Sequence, residues 1–300
     1  MQKVRHTRRK WWRNEALYLS LAAGAIVFAV LLSVGIHACL GRESTGKVDG
    51  MGDGPNGSVL SLRATRVYQG SLILCDSSHP FDEDAVEALL QDCVPLTLFS
   101  LGALDTPLYA LASPSICLQS EAAISLSRLA SALAAQGHAP RLLIEMGYLA
   151  YDGIGESPFH TGYDITLSFL IEDDEGVHTI PLSKAGDTPE TRAAALWLLA
   201  NRARYGWIAG TSENSLRYVG HPHASYIESH QLTLEAYLAL LRAYTSAQPL
   251  IYTIYGTTYT LYYKRADHGA AIFTIPNAPF SLSGDGDKGF IICYVSGTLS

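Results

Sequence analysis

Apolar residues recur every three or four positions in the middle of the chain, which is the spacing of one face of an α-helix. The clearest run comprises Leu118, Ala122, Leu126, Leu129 and Leu133. Ser120 stands near its start, where a hydroxyl caps backbone N–H groups, and Gly137 follows its end, where glycine commonly terminates a helix. The pattern therefore predicts a helix between Ser120 and Gly137.

Further helices and strands follow along the chain. Acidic first turns, threonine caps and apolar spacing predict helices at 82–90, at 188–206 with Pro189 at its first position, and at 234–244 with Thr233 as its cap. Short apolar runs predict strands at 71–75 (SLILC), 141–146 (RLLIEM) and 163–171. Helices and strands of this kind indicate an α+β domain at 59–247, in which helices pack on a small, mainly antiparallel sheet.

After Pro249 the helical spacing ends, and β-branched and aromatic residues predominate in LIYTIY, TYTLYYK, AAIFTI and GFIICYV. These runs predict strands and a C-terminal β appendage at 248–300. Its tyrosines include Tyr252, Tyr255, Tyr259, Tyr262 and Tyr263. The pattern favours cross-strand pairs for these rings, and stacking on sugar rings is the alternative.

The N-terminus combines a basic segment with a long apolar one. Residues 1–15 carry six basic side chains, and the 25 residues from 16 to 40 contain no charged side chain. This length is sufficient to cross a hydrocarbon layer of roughly 30 Å, and the basic tail is expected to remain cytoplasmic. The alternatives are a cleaved signal peptide and a lipid attached to Cys39. The glycine-rich residues 41–58 predict a flexible linker to an extracytoplasmic domain.

Charge excludes nucleic acid as a partner of the outer region. The chain carries 21 basic and 28 acidic side chains, of which six and one lie in the first 40 positions, so the remaining 260 residues have a net charge of −12. Polyanions are repelled by such a domain. Cys75, Cys93, Cys117 and Cys293 allow three disulfide pairings, or four thiols, and their spacing does not choose between these.

Four segments in order resemble VanY-type D-alanyl-D-alanine carboxypeptidases: SLILCDSSHPF, GYLAY, SPFHTGYDITL and LRYVGHPHASYIESHQLTLEAYL. The resemblance covers roughly residues 60–300. It implies a bacterial cell-wall protein, most simply from a Gram-positive organism, with the fold of a zinc peptidase that removes terminal D-alanine from peptidoglycan stems. Such an enzyme needs three zinc ligands, a glutamate base and an open coordination position.

Alignment with the family motifs implies that every chemically required position is substituted. The positions are Phe159 for the first histidine, Thr166 for the aspartate, Ser215 for the second histidine, Ser212 for the catalytic glutamate and Leu149 for the substrate-binding arginine. Phenylalanine offers no lone pair to zinc, and neutral hydroxyls are poor substitutes for imidazole or carboxylate. The resemblance thus implies a vestigial site without zinc or another cofactor.

A rewired zinc site is the alternative. His160 and Asp164 lie four residues apart in a predicted strand, which places them on one face, and His221 and His223 offer imidazoles from another segment. Glu213 is then the candidate base. The first hypothesis is a membrane-tethered, inactive module that binds a peptidoglycan stem peptide or a cell-wall enzyme. The second is an active zinc D,D-carboxypeptidase with relocated ligands, and the third is a structural envelope protein.

Overall fold

The computed structural model describes residues 50–54, 57–80, 93–102, 106–137, 141–151, 156–174, 176–266, 270–275 and 278–298. The predicted basic tail, the membrane helix at 16–40, the start of the linker and the helix at 82–90 lie outside these residues. Among the described helices, none has the length and apolar character needed to cross a lipid bilayer. All described residues belong to one unit, Ser44–Ser300.

The described elements alternate between short helices and strands. The helices are α1 (Ser120–Ala134), α2 (Leu182–Ala185), α3 (Pro189–Asn201), α4 (His223–Ser229) and α5 (Leu234–Leu241), and 3-10 helices lie at Ala64–Tyr68, Leu96–Phe99, Pro158–Thr161 and Arg202–Tyr205. The strands are β1 (Gly50–Gly54), β2 (Gly57–Arg63), β3 (Cys93–Pro95), β4 (Tyr109–Leu111), β5 (Cys117–Gln119), β6 (Arg141–Met146), β7 (Asp164–Asp173), β8 (Gly176–Pro181), β9 (Trp207–Ala209), β10 (Ser215–Tyr218), β11 (Leu250–Ile254), β12 (Thr257–Arg265), β13 (Ala270–Ile275), β14 (Phe280–Gly284) and β15 (Gly289–Thr298).

A six-stranded sheet forms the centre of the fold. Its order is β4-β6-β7-β10-β9, and β8 pairs with β7. Only the β4–β6 pair among these described strands is parallel. The α+β class and the mainly antiparallel sheet are therefore confirmed.

One face of this sheet is covered by α1 and α3. Leu126, Leu129 and Leu133 of α1 are buried in the same core as Leu167 and Phe169 of β7. Burial of apolar side chains stabilises a fold by about 25 cal/mol per Å² of surface removed from water, so this shared core holds the helices on the sheet. The predicted helix at 120–137 and the helix that starts at Pro189 are confirmed.

A second core connects the helical part to the C-terminal strands. Tyr237 and Leu241 of α5 are buried together with Leu250, Leu261 and Cys293. The cap predicted for α5 is present, because Thr233 Oγ1 accepts a hydrogen bond of 3.1 Å from the Ala236 N–H. The boundary predicted at 247/248 thus falls within one shared core rather than between two separate cores.

The N-terminal strands correct the predicted linker. β1 and β2 pair in an antiparallel hairpin, and β2 also pairs with β13, where Leu60 faces Phe273. Residues 50–54 and 57–58 therefore belong to a sheet, although their glycine content indicated a flexible segment. Backbone hydrogen bonds need no large side chains, and the strand that provides them lies about two hundred residues further along the chain.

The strand predicted at 71–75 is not formed. Leu72 and Ile73 are buried, as the apolar run indicated. Their backbone, however, bonds to side chains: the Leu72 N–H donates to Ser283 Oγ at 3.0 Å, and the Ile73 carbonyl accepts from Arg217 at 2.8 Å. Side-chain partners replace the neighbouring strand that sequence reasoning assumed for this segment.

Candidate functional site

Two of the substituted family positions lie side by side on the central sheet. Ser215 of β10 is directly opposite Thr166 of β7 in the antiparallel register. Ile165 and Leu167, which flank Thr166 in the chain, point into the core beneath, so Thr166 points to the other face. Residues opposite each other in a register share a face, and Ser215 therefore lies beside Thr166 on that face.

Ser212 joins this pair through the turn between β9 and β10. Its N–H donates to Ser215 Oγ at 2.8 Å, and the Ser215 hydroxyl donates to the Ser212 carbonyl at 2.9 Å. The close approach requires glycine at Gly210, because a Cβ there would lie 2.3 Å from Ser215 Oγ. Glu213, the candidate base of the rewired site, is exposed in the same turn.

The other two substituted positions bring apolar side chains. The Leu149 N–H donates to the Phe159 carbonyl at 3.2 Å, so the two segments are in contact. Met146 of β6 lies opposite Thr166 in the register, and its side chain therefore shares the face of the hydroxyl pair. Met146 and Leu149 remain 43% and 47% exposed, and Met146 therefore provides accessible apolar surface beside Thr166.

This set of residues does not fit zinc. Phe159 provides no donor atom, Leu149 provides none either, and the hydroxyls of Thr166, Ser212 and Ser215 carry no charge. Within the residues that the structure describes, no three histidine, cysteine or acidic side chains are grouped so that they could hold a metal ion. The family's metal chemistry is therefore not assigned to these positions.

The structure does not bring the four residues of the rewired set together. His160 is buried, and its Nδ1 lies 2.8 Å from the Leu149 carbonyl, which makes this nitrogen a donor. His223 is buried against α5, where its Nδ1 lies 2.9 Å from the Tyr237 hydroxyl. His221 stacks on Tyr255 and contacts Tyr259. Each imidazole thus has a different set of neighbours.

Asp164 is bound by a buried arginine rather than directed at a metal. Arg217 Nη1 donates to the Asp164 carboxylate and, at 2.6 Å, to Thr161 Oγ1. Arg217 Nη2 donates to the carbonyls of Ser71 at 3.2 Å and Ile73 at 2.8 Å. Burial raises the pKa of Asp164, and the adjacent guanidinium acts in the opposite direction. The pair connects β7, β10 and the segment at 71–75.

Burial also determines the state of His223. Its pKa is lowered to about 3, first by loss of hydration and secondly by the nearby His221. The imidazole is therefore neutral at physiological pH. Because it is neutral and its Nδ1 is hydrogen-bonded to the Tyr237 hydroxyl, the His223 ring can be buried beside the second core, to which Tyr237 belongs.

The described cysteines form no disulfide bond. Cys75 is buried, and its thiol donates to Glu156 Oε2 at 3.3 Å. Burial and this carboxylate raise the pKa of Cys75 to about 12, so the thiolate does not form near neutral pH. Cys93 and Cys117 lie on the paired strands β3 and β5.

A cavity of about 370 Å³ lies next to Asp164 and Arg217, and neither Thr166 nor Ser215 is among its lining residues. Asp164 and Arg217 are among its lining residues. Asp164 lies two residues from Thr166 on β7, and Arg217 lies two residues from Ser215 on β10. Its other lining residues are Ile73, Leu74, Cys75, Asp76, Pro158, Ile208, Ala209, Gly210, Thr211, Ile227, Glu228, Leu232, Thr233, Leu234 and Glu235. The volume suits a small molecule or a few residues of a peptide.

Sequence reasoning missed Arg217 as a site residue. It stands in the LRYVG segment that carries the family resemblance, two residues after Ser215. The available signal was Asp164, an acidic residue within the apolar strand predicted at 163–171. A charge in such a strand is expected to be buried, and a buried charge is usually paired.

Known proteins with a similar sequence or fold include bacterial cell-wall peptidases. No family model matches the chain. A D-alanyl-D-alanine carboxypeptidase of Enterococcus faecium is 21% identical over 268 residues, which cover 84% of this chain and 84% of that protein. The crystal structure of the vancomycin resistance D,D-dipeptidase VanXYg, in complex with a D-Ala-D-Ala phosphinate analogue, superposes with a TM-score of 0.59 at 18% identity and covers 79% of this chain and 98% of that one.

This chain is related to the VanY-like zinc carboxypeptidases. The likeness to VanXYg shows the fold alone, and it covers nearly all of that protein. The LdcB LD-carboxypeptidase, whose structure concerns peptidoglycan recognition, is more distant, with a TM-score of 0.35 over 49% of this chain and 77% of that one. The VanY-like relationship predicted from the four sequence segments is thus confirmed.

Proposed function

We propose that this protein is a VanY-like module of the bacterial cell envelope that binds peptidoglycan stem peptides and does not hydrolyse them. The observation that carries the proposal is the pairing of Thr166 with Ser215, where the family alignment expects two zinc ligands. The half-buried Thr166 carries a hydroxyl that can bind peptide groups by hydrogen bonds, whereas Ser215 is buried and its hydroxyl is bonded to Ser212. Neither hydroxyl acidifies a water molecule.

The surroundings of the pair support peptide binding. The cavity that Asp164 and Arg217 line, two residues along each strand from the pair, has apolar walls that include Ile73, Ile208 and Ile227. Met146, opposite Thr166 in the register, adds accessible apolar surface next to it. Small apolar side chains together with a few hydrogen-bonding groups are the usual lining of a site for a short peptide. The Asp164–Arg217 pair is neutral overall and does not repel either end of such a ligand.

Placement outside the cell is part of the proposal and depends on the sequence. The uncharged residues 16–40 follow six basic side chains, which is typical of a single membrane anchor with a cytoplasmic N-terminus. The related folded unit then lies on the side of the membrane where peptidoglycan is found.

The experiment uses the full-length protein in detergent and a stem pentapeptide that ends in D-Ala-D-Ala. Saturable binding in calorimetry, no release of D-alanine and no effect of a chelator are the expected results. Turnover that a chelator abolishes contradicts the non-hydrolytic proposal. Absence of any binding contradicts the peptide-binding proposal.

A matched pair of variants locates the binding site. Met146→Lys introduces a charge beside Thr166 and is expected to weaken peptide binding about tenfold. Ile272→Lys is the control, because Ile272 is also an exposed apolar residue of a strand but lies on β13 in another sheet. Equal effects of the two variants contradict the location.

A further inference from the structure

The hairpin between β11 and β12 contains a tyrosine in a backbone conformation that bulky side chains rarely adopt. Strand β11 ends at Ile254 and β12 begins at Thr257, so Tyr255 and Gly256 form a two-residue loop. Both loop residues have positive φ, 49° for Tyr255 and 78° for Gly256, as a type I′ turn requires. Asparagine or glycine is preferred at the first of these positions, because a bulky side chain is strained there.

Burial of the Tyr255 ring does not compensate for this strain. The ring is 66% exposed, although it is a large aromatic side chain. The His221 ring lies 6.0 Å away at an angle of 22°, and the Arg204 guanidinium carbon lies 5.1 Å from the ring centre. These neighbours orient the ring but leave most of it accessible to solvent. A strained, exposed side chain that structural needs do not explain points to a role in binding.

Tyr255 is the end of a continuous row of rings. His221 contacts Tyr259 at 5.7 Å, and Tyr259 lies opposite Tyr252 in the strand register. Tyr252 contacts Tyr226 at 5.0 Å, and Tyr226 stacks on His230 at 4.0 Å. The tyrosine–histidine surface is defined here as Tyr255, His221, Tyr259, Tyr252, Tyr226 and His230. None of these six side chains is fully buried.

We infer that the tyrosine–histidine surface binds an oligosaccharide of pyranose rings. The C–H faces of a pyranose carry partial positive charge and stack on the negative faces of aromatic rings. Each of the six side chains also carries a hydroxyl or ring nitrogen, the type of group that bonds to sugar hydroxyls. Some of these atoms already bond within the protein: the Tyr259 hydroxyl lies 3.3 Å from His221 Nδ1, and the Tyr252 hydroxyl lies 3.4 Å from Ser229 Oγ. The exposed Tyr255 ring is therefore the main stacking group of the surface. A ligand with one apolar face per ring and polar groups around its edge matches a row of amphipathic rings.

A sugar fits this surface better than a protein partner does. Protein interfaces centre on closely packed anchors that become dry when the partner binds. Here the rings have polar rims, and the exposed aliphatic Ile251 alternates to the opposite face of β11 from Tyr252. The row therefore has no exposed aliphatic side chain of β11 at its centre. A protein contact remains one outcome of the test.

This surface is a second site, and the inference does not depend on peptide binding. The cavity beside Asp164 and Arg217 is lined on α4 by Ile227 and Glu228, whereas the row uses Tyr226 and, beyond the helix end, His230. The two sites therefore use different residues of the same helix region. Either activity can be absent while the other is present.

The test uses chitohexaose, a soluble β-linked oligomer of N-acetylglucosamine, with the full-length protein in detergent. The wild-type chain is expected to bind it saturably in calorimetry. Tyr255→Asn replaces the ring with the residue that a type I′ turn prefers. This variant is expected to bind chitohexaose about tenfold more weakly and to melt about 2–4 °C higher, since relief of turn strain raises Tm.

The combination of weaker binding and higher stability separates a binding role from a structural one. Ile251→Thr is the matched control on the same strand and should leave binding unchanged. Failure of the wild-type chain to bind chitohexaose overturns the inference, as does unchanged affinity in Tyr255→Asn. Self-association that Tyr255→Asn abolishes, measured by sedimentation, without sugar binding, assigns the surface to a protein contact and also overturns it.

Discussion

Thr166 and Ser215 face each other across β7 and β10, at the two positions where the sequence alignment predicts a carboxylate and an imidazole ligand of zinc. The backbone register that brings these positions together is present, whereas the atoms that bind metal are not. Under the proposed function, the backbone of this region is kept while the metal-binding atoms are absent. This separation of scaffold and donor atoms can be tested directly.

Restoring the family residues should restore metal binding. The triple variant Phe159→His, Thr166→Asp, Ser215→His should hold about one zinc ion per chain, because these side chains supply a common catalytic ligand set. The wild-type chain should hold none after dialysis, as measured by mass spectrometry of the metal. The variant with only Phe159→His and Thr166→Asp is the control. A triple variant as free of zinc as the wild type would show that the positions do not converge.

Breaking the Asp164–Arg217 pair should be strongly destabilising. Both side chains are buried, so Arg217→Met leaves an uncompensated carboxylate and is expected to lower the free energy of unfolding by about 3–5 kcal/mol. The double variant Asp164→Asn, Arg217→Met should recover part of this loss. Urea unfolding measures each step.

A more exposed ion pair provides the comparison. Arg202 binds Glu228, and these side chains are 15% and 33% exposed. Arg202→Met should cost about 1–2 kcal/mol, less than Arg217→Met, because solvent partly screens this half-buried pair. Similar losses for Arg202→Met and Arg217→Met would show that burial does not decide the effect.

Stability should fall in mild acid because of His223. Its pKa is about 3 in the folded protein and near 6.5 when unfolded, so the unfolded state takes up a proton first as the pH decreases. This group should remove about 1.5 kcal/mol of unfolding free energy between pH 6.5 and about pH 5. His223→Gln should lack that part of the pH dependence. Identical pH profiles of the two proteins in urea unfolding would contradict the prediction.

The C-terminal strands should be essential to the fold rather than an independent appendage. A Cβ at Gly284 of β14 would lie 1.9 Å from the Val67 carbonyl oxygen, so Gly284→Ala forces the backbone of the N-terminal segment to move. The expected loss is about 1–3 kcal/mol. Gly297→Ala is the control on β15, because its Cβ meets Thr258 only at an ordinary distance of 3.8 Å. It should change the unfolding free energy by less than about 0.5 kcal/mol.

Local patterns in the chain were sufficient for several elements of the fold. The spacing of Leu126, Leu129 and Leu133 predicted α1, and Thr233 predicted the start of α5. These predictions succeeded because helix periodicity and caps depend on residues within a few positions of each other.

Tertiary structure alone decided the pairing of distant segments. Arg217 binds Asp164 and the carbonyls at 71–73, and β2 pairs with β13, yet no local pattern records either partner. For the same reason the glycine content of residues 41–58 predicts a linker, whereas 50–54 and 57–58 form strands, and the apolar SLILC segment predicts a strand that is absent. A segment's hydrogen-bond partner depends on which other segment the fold brings beside it, and this information is absent from side-chain periodicity.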